Sequence, residues 1–196
     1  MIVSTIAVFF VRTKPGLPAY RADYGELEDP FDVLKRGYYV SLLLALIGFY
    51  FICSQYLRLP QNDSSYWLFF CCGLVGLAIS FAFVKLTQYY TDYTFTPVRK
   101  IAQASEMGHA TNIIQGLSNG LESTGMPIVV ISIGIITSYY LGEATGVRNN
   151  DGDLCGGLYG TAIATMGMFA SGVYVLSMSG FGPIADNAGG IVEMSG

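Results

Sequence analysis

The chain has 196 residues, of which 52% are hydrophobic and only 12% are charged. Soluble domains carry about 25% charged residues, so the composition excludes an ordinary water-soluble domain and favours a membrane protein. The ten Lys and Arg residues form no run, and with a net charge of −4 they offer no basic surface for nucleic acid.

Apolar segments, taken in chain order, predict one half-span followed by four membrane spans. Residues 1–11 would cover half of a hydrocarbon core that is about 30 Å thick. The next two segments have the length of complete spans, and the last is rich in the small residues that helices packed among other helices carry. The four predicted spans are 38–57, 66–84, 126–141 and 156–178. We therefore expect an all-α, polytopic transmembrane helix bundle that forms a single membrane module over residues 1–196.

The distribution of basic residues orients these spans. Eight of the ten Lys and Arg residues lie in or beside the loops 13–37 and 87–125, and membrane proteins keep such loops in the cytoplasm. These eight are Arg12, Lys14, Arg21, Lys35, Arg36, Lys85, Arg99 and Lys100, against Arg58 and Arg148 elsewhere. Because spans alternate in direction, the 180–196 segment is also predicted to be cytoplasmic, where it would meet a charged cytosolic substrate.

The most unusual polar segment follows the last span without a charged stop. Asp186 and Asn187 are followed by Gly189 and Gly190, and glycines let the backbone come close to a ligand. A carboxylate beside an amide could hold a hard cation such as Mg²⁺. The alternative is that Asp186 or Asn187 is the N-cap of a helix, which is what local chemistry alone favours.

A second candidate is Glu122, which lies close to the predicted membrane boundary. Ionisable residues at such positions can relay ions, but a solvated interfacial Glu is the more ordinary interpretation. His109 stands alone and is interpreted as structural. The acidic 142–155 loop resembles a calcium-binding loop only in composition and lacks the required spacing, so we interpret it as a solvated loop.

The aromatic segment 88–102 contains a predicted helix start. Pro97 is suited to the first turn of a helix, and Thr96 is its expected cap. Tyr89, Tyr90 and Tyr93 are expected to form an interfacial aromatic belt.

Four sequence blocks, in order, resemble those of a known family. The last, GPIADNAGGIVEMSG at 182–196, resembles the signature GPI[SA]DNAGGIAEMAG of membrane-integral, ion-pumping inorganic pyrophosphatases. The other three are QYYTDYTFTPVRKIA, GHATNIIQGLSNGLESTGMP and GLYGTAIATMGMFAS. They resemble the family's EYYT…PV…IA, G-ATNII-GL-G-ST--P and GLYGIALAA-GMLS.

The resemblance implies a fragment of a sixteen-helix pump, usually a homodimer, that spans the bilayer of a cell inner membrane. Such pumps hydrolyse Mg-pyrophosphate to phosphate on the cytoplasmic side and move H⁺ or Na⁺ across the membrane. Asp186 matches the signature aspartate that binds Mg²⁺ and pyrophosphate, and Asn187 is a candidate for the same shell. The pumped ion and any K⁺ requirement stay open, because the residues that decide them belong to other parts of the family's sequence. For the same reason the chain alone is expected to be inactive.

Two departures from the family pattern support an alternative. Gln88 occupies the place of the usual Glu before YYT, and Ser179 replaces an Asp that often precedes the GPI block. These losses of carboxylates favour a truncated or degenerate, non-catalytic membrane protein derived from such a pump.

Overall fold

A computed structural model describes residues 2–11, 30–60, 62–149 and 151–195. Outside its helices, the described part contains only two isolated β-bridges, Leu59↔Asn62 and Arg148↔Leu154. The helices are α1 (Ile2–Val8), α2 (Pro30–Tyr56), α3 (Ser65–Thr91), α4 (Thr96–Glu106), α5 (His109–Glu143), α6 (Gly156–Phe169) and α7 (Gly172–Ser195). The predicted all-α fold class is therefore confirmed.

Within the described residues, three helical stretches are long and apolar enough to cross a membrane. They are Asp32–Tyr56, Ser65–Glu106 and His109–Glu143. The helices Gly156–Phe169 and Gly172–Ser195 would form a fourth crossing if together they make one broken span. Most of the predicted loop 13–37 lies outside the described residues.

The helices are longer than the apolar windows that predicted the spans. Residues 109–125, a polar connection whose apolar residues at helical spacing favour an extension of the next span, form the first half of α5, whereas residues 180–195 were expected in a loop and belong to α7. Pro127 lies inside α5 and Pro183 inside α7, although each removes a backbone donor. Membrane helices tolerate such prolines because neighbouring groups can satisfy the freed carbonyls. A change from apolar to polar sequence therefore marks where a helix leaves the membrane, not where it ends.

Contacts group the chain into two compact units, where the sequence predicts one continuous module. The first unit is Met1–Tyr56 with Phe169–Gly196, and the second is Leu57–Met168. In the first unit, α2 packs against both α1 and α7. The closest approach is at Gly37, where an added Cβ would lie 2.7 Å from the ring of Tyr174. Glycine at this position lets the aromatic ring rest on the α2 backbone.

The second unit is built on close contacts between glycines. An ideal Cβ on Gly76 of α3 would collide with the carbonyl oxygen of Ala164 in α6, and one on Gly142 of α5 would lie 2.8 Å from the Cα of Gly160. Small residues allow such backbone-to-backbone packing between membrane helices. At these glycines the backbones of α3, α5 and α6 approach each other directly, and elsewhere large side chains such as Ile79 and Tyr139 rest against a glycine of the neighbouring helix.

Helix α4 follows α3 after four residues and packs mainly against α5. Its apolar residues Val98, Ile101 and Ala104 are half-buried, whereas Arg99 and Lys100 are exposed. Pro97 lies in its first turn, as predicted, but the N-cap is Phe95, one residue before the expected Thr96. The short amphipathic helix therefore covers part of the polar first half of α5.

Candidate functional site

Asp186 and Asn187 lie well inside α7, and both are exposed. An N-cap precedes the first turn of a helix, whereas α7 begins at Gly172. The hypothesis that either residue caps a helix is therefore wrong. Both side chains project from a continuous helix and have room to accept a ligand.

Glycines surround Asp186 on the same side of α7. Gly182 precedes it by four residues, and Gly189 and Gly190 follow it by three and four residues, spacings that place them on its face of the helix. An ideal Cβ built on any of these three glycines would have nothing within 4 Å in this structure. On this face, the positions one turn before and one turn after Asp186 therefore have no side chain. A bulky anion could reach the helix backbone there.

A second carboxylate, Glu193, lies seven residues after Asp186 and is also exposed. Seven residues are about two turns, or roughly 10.5 Å along the helix axis, so both carboxylates lie on the face that contains Gly189 and Gly190. From the sequence, one Asp and one Glu seven residues apart were not expected to form a paired-carboxylate centre without help from elsewhere, whereas the helix places both on one face. Asn187 is one position further round the helix than Asp186 and flanks this face.

The donor set of this face suits a hard cation bound together with a phosphate. Mg²⁺ is usually held by one or two carboxylates and by substrate phosphates, not by a complete protein cage. Asp186 and Glu193 provide two carboxylates, and Asn187 adds an amide oxygen. No group of three or more His, Cys, Asp or Glu side chains able to hold a metal occurs in the described residues.

Glu122 belongs to the second unit, whereas Asp186 belongs to the first. Glu122 is exposed on α5. One turn before it, Asn119 donates a hydrogen bond to the Tyr90 carbonyl, at 3.4 Å, which ties α5 to the end of α3. A relay role for Glu122 stays a prediction. His109 is the exposed first residue of α5.

The two departures from the family pattern have different surroundings. The amide of Gln88 donates to a carboxylate oxygen of Asp92, at 3.2 Å, one turn further along. A carboxylate at position 88 would instead face Asp92 with like charge, which is unfavourable at this spacing. Ser179 donates its hydroxyl to the Val175 carbonyl within α7, at 3.1 Å. Gln88 therefore completes a local pair, whereas Ser179 makes a bond that any helical serine can make.

The acidic loop between α5 and α6 is folded by its own polar groups. The amide oxygen of Asn149 accepts hydrogen bonds from the backbone N–H groups of Asp151 and Asp153, at 3.0 and 2.8 Å. Arg148 donates to the Gly152 carbonyl, at 2.7 Å. Gly152 adopts a φ of 92°, which glycine accepts readily. These hydrogen bonds and the glycine conformation explain why the loop contains Asn149, Arg148 and Gly152, and none of these roles needs a metal ion.

In the residues that the structure describes, the regular structure is helical and includes helices long and apolar enough to cross a membrane, which is the architecture of an integral membrane protein. The whole chain, residues 1–196, matches the family model described as inorganic H⁺ pyrophosphatase. The chain belongs to this family, and the resemblance noted in the sequence is confirmed.

Several curated proteins are similar to the chain. It is 51% identical over 170 residues to the pyrophosphate-energized membrane proton pump 3 of Arabidopsis thaliana, covering 86% of this chain and 21% of that protein. It is 46% identical over 196 residues to the K(+)-insensitive pyrophosphate-energized proton pump 2 of Moorella thermoacetica, covering 100% of this chain and 26% of that protein. The chain thus spans about a quarter of the length of these relatives.

Proposed function

We propose that this chain forms part of a pyrophosphate-energised proton pump, in which α7 provides one wall of the hydrolytic site. The observation that carries the proposal is the open, glycine-lined face of α7 with Asp186 and Glu193, in a chain of this family. H⁺ is preferred to Na⁺ as the pumped ion because the relatives are named proton pumps. No K⁺ requirement is proposed, since the Moorella relative is named K(+)-insensitive.

The chemistry of pyrophosphate hydrolysis suits this face. Phosphoryl transfer depends on charge neutralisation and in-line placement of the attacking water more than on covalent help from the protein. Bound Mg²⁺ would neutralise the phosphate oxygens. Asp186 would bind and orient the metal-bound substrate, with Glu193 and Asn187 beside it, and the bare backbone at Gly189 and Gly190 would admit the phosphate groups. Glu122 is the proposed ion relay.

The proposed arrangement in the membrane follows from the basic residues. The 13–37, 87–125 and 180–196 segments share the cytoplasmic side of an inner membrane, so that α7 presents Asp186 to cytosolic pyrophosphate. A homodimer of the complete pump is proposed from the family resemblance.

A chimaeric pump tests the role of Asp186. Residues 1–196 would replace the matching quarter of the Moorella pump, and phosphate release and acidification would be measured in inverted membrane vesicles. Asp186→Asn keeps the size of the side chain but removes a charge and a hard anionic oxygen. We expect it to lower hydrolysis at least about 100-fold, the equivalent of roughly 2.7 kcal/mol, and to shift the Mg²⁺ dependence to higher concentration. The matched control is Asp153→Asn in the α5–α6 loop, and equal activity of the two variants would refute the assignment.

The non-catalytic alternative rests on Gln88 and Ser179 and is tested in the same chimaera. If this chain derives from a pump that has lost its activity, the chimaera should be inert, and Gln88→Glu with Ser179→Asp should restore turnover. If the unmodified chimaera hydrolyses pyrophosphate and pumps protons, the alternative is excluded.

A further inference from the structure

The polar first half of α5, residues 109–125, carries its large apolar side chains on the outside. Each of these side chains is between 65% and 71% exposed: Ile113, Ile114, Leu117 and Leu121. Surface helices usually turn such a stripe toward the core and their polar side toward water. Here the arrangement is reversed, because the half-buried side chains of this segment are polar. They are Asn112, Gln115, Asn119 and Ser123.

Helix geometry places the two sets on opposite sides of α5. At about 3.6 residues per turn, the polar set points in directions that lie roughly half a turn away from those of the apolar set. Asn119 belongs to the polar set, and its amide donates to the Tyr90 carbonyl of α3, at 3.4 Å. The polar side of this segment therefore faces α3, and the apolar side faces away from it.

The apolar side continues into the membrane part of α5. Ile128, Ile131 and Ile135 lie on the same side of the helix as Leu121 and are between 38% and 61% exposed. Lipid chains could cover these three residues. They cannot cover Ile113, which lies thirteen residues before Met126, or roughly 20 Å beyond the predicted membrane boundary. The first half of α5 therefore needs a protein surface against it.

The chemistry of the exposed side selects the kind of protein surface. Residues 110–121 contain no Asp, Glu, Lys, Arg or His, whereas the water-facing side of a helix usually carries charged residues. Large exposed apolar patches mark interaction sites. Because the branched side chains recur every three or four residues, the surface suits another helix, whose side-chain ridges would fill the grooves between Ile113, Leu117 and Leu121.

The length of chain outside this structure indicates the source of such a helix. The 196 residues cover 26% of the Moorella pump, so about three quarters of a protein of that length lies in other segments. A helix that covers α5 from the level of Ile113 to that of Ile135 must extend roughly 33 Å. Part of it lies in the membrane and part in the cytoplasm, which is the course that α5 itself follows.

We propose that the face of α5 formed by Ile113, Leu117, Leu121 and Ile128 docks a long transmembrane helix from another segment of the same pump. The docked helix holds the cytoplasmic half of α5 from the side opposite α3. This inference rests on the part of the proposed function that makes the chain a segment of a longer pump. It goes beyond that function because it does not depend on Asp186 or on pyrophosphate hydrolysis.

Photocrosslinking in the chimaeric pump identifies the occupant of this face. The photoreactive residue p-benzoylphenylalanine would replace Leu117, or Gln103 in a matched control, because Gln103 is exposed on α4. Products are separated by SDS gel electrophoresis, and the joined peptides are identified by mass spectrometry. We expect the probe at Leu117 to join a peptide of the Moorella part within one chain, and the probe at Gln103 not to join that peptide. A product of two chains, a lipid adduct, a crosslink within residues 1–196 or no crosslink would overturn the proposal.

Thiol labelling of the same pump provides a second measurement that does not use its activity. Ile113→Cys and Leu117→Cys are compared with Gln103→Cys in a cysteine-free background, and only the monodisperse fraction from gel filtration is labelled, so that unfolded protein is excluded. All three positions are exposed in the present structure, so equal rates with a maleimide would contradict a docked helix. Docking predicts rates at least about tenfold lower at the two α5 positions, because the helices must separate before the thiol reacts. Phosphate release is measured separately, so failure of the Asp186 assignment leaves this result unchanged.

Discussion

Asp186 and Glu193 are the two carboxylates of the proposed site on α7. They lie two turns apart on α7, with Gly189 and Gly190 between them. Side chains at those two positions would fill the space that a diphosphate needs, so the glycines determine the size of the ligand that the face admits. The carboxylates of Asp186 and Glu193, one at each end of this face, would attract metal ions to both ends of such a ligand.

Glu193→Gln in the chimaeric pump tests this second carboxylate. We expect weaker Mg²⁺ binding and a loss of hydrolysis of about tenfold or more, equivalent to roughly 1.4 kcal/mol, because a hard anionic ligand is removed. A Mg²⁺ titration of phosphate release measures both effects. Glu106→Gln, at the exposed end of α4, is the control. If both variants retain the metal dependence of the unmodified chimaera, Glu193 is not part of the site.

Only some of the individual residues of the candidate site could be predicted from the sequence. Asp186 came from the resemblance to a signature, whereas local chemistry alone favoured a helix cap. Glu193 was set aside because one Asp and one Glu seven residues apart do not make a paired-carboxylate centre by themselves, and because the segment was expected to be a loop. The Gln88–Asp92 pair depends on α3 reaching Thr91, beyond the apolar window that predicted the span.

Helices α3, α5 and α6 pack through glycines, and these contacts set the shape of the second unit. Lipid chains are as apolar as the helix surfaces, so association depends on close contact and dispersion more than on the hydrophobic effect. At Gly76 the opposing atom is a backbone carbonyl oxygen, which cannot rotate away as a side chain could. This position should therefore tolerate no larger residue.

Gly76→Ala should destabilise the second unit by roughly 1–3 kcal/mol, the range for overpacking a filled interior. Unfolding by SDS in mixed micelles, followed by circular dichroism, measures the change. Gly120→Ala is the matched control, since an added Cβ there has nothing within 4 Å and alanine favours a helix by about 1 kcal/mol. A Gly76→Ala variant as stable as the control would contradict the packing.

Helix existence was predictable from hydropathy, but helix length was not. Apolar windows located α2, α3 and the membrane part of α5 because the bilayer requires about 20 apolar residues. They did not cover the polar half of α5 from His109 to Pro127, which the helical spacing of its apolar residues indicated instead and which contacts α4 and the Tyr90 carbonyl. The last window ran from Gly156 to Met178 without interruption, so the break at Ala170–Ser171 was hidden in an apolar sequence.

At the scale of the whole molecule, the proposed hydrolytic site has two carboxylates and one amide on this chain. We expect the purified 196-residue chain to show no Mg²⁺-dependent pyrophosphate hydrolysis above background. Two carboxylates and an amide on one helix leave a multi-metal substrate exposed to water on its other sides. A phosphate-release assay at saturating Mg²⁺ measures this, with the Asp186→Ala chain as its control. Turnover that Asp186→Ala abolishes would show that this chain carries a complete site.

The proposed topology is testable by cysteine labelling from each side of the membrane in a cysteine-free background. Asp32→Cys, Glu106→Cys and Ser195→Cys should react with an impermeant maleimide only from the cytoplasmic side. The three positions are exposed, and the basic residues orient them together. Asp153→Cys should react only from the opposite side. Labelling of any one of the first three from the outside would overturn the arrangement.

The length of α5 has a mechanical consequence. Its 35 residues extend about 52 Å, whereas the hydrocarbon core is about 30 Å thick, so about 20 Å of the same rigid rod stands in water. A small tilt of the rod inside the bilayer is therefore enlarged at its aqueous tip, where α4 rests against it. A change in helix packing within the membrane would therefore displace the aqueous end of α5 sideways.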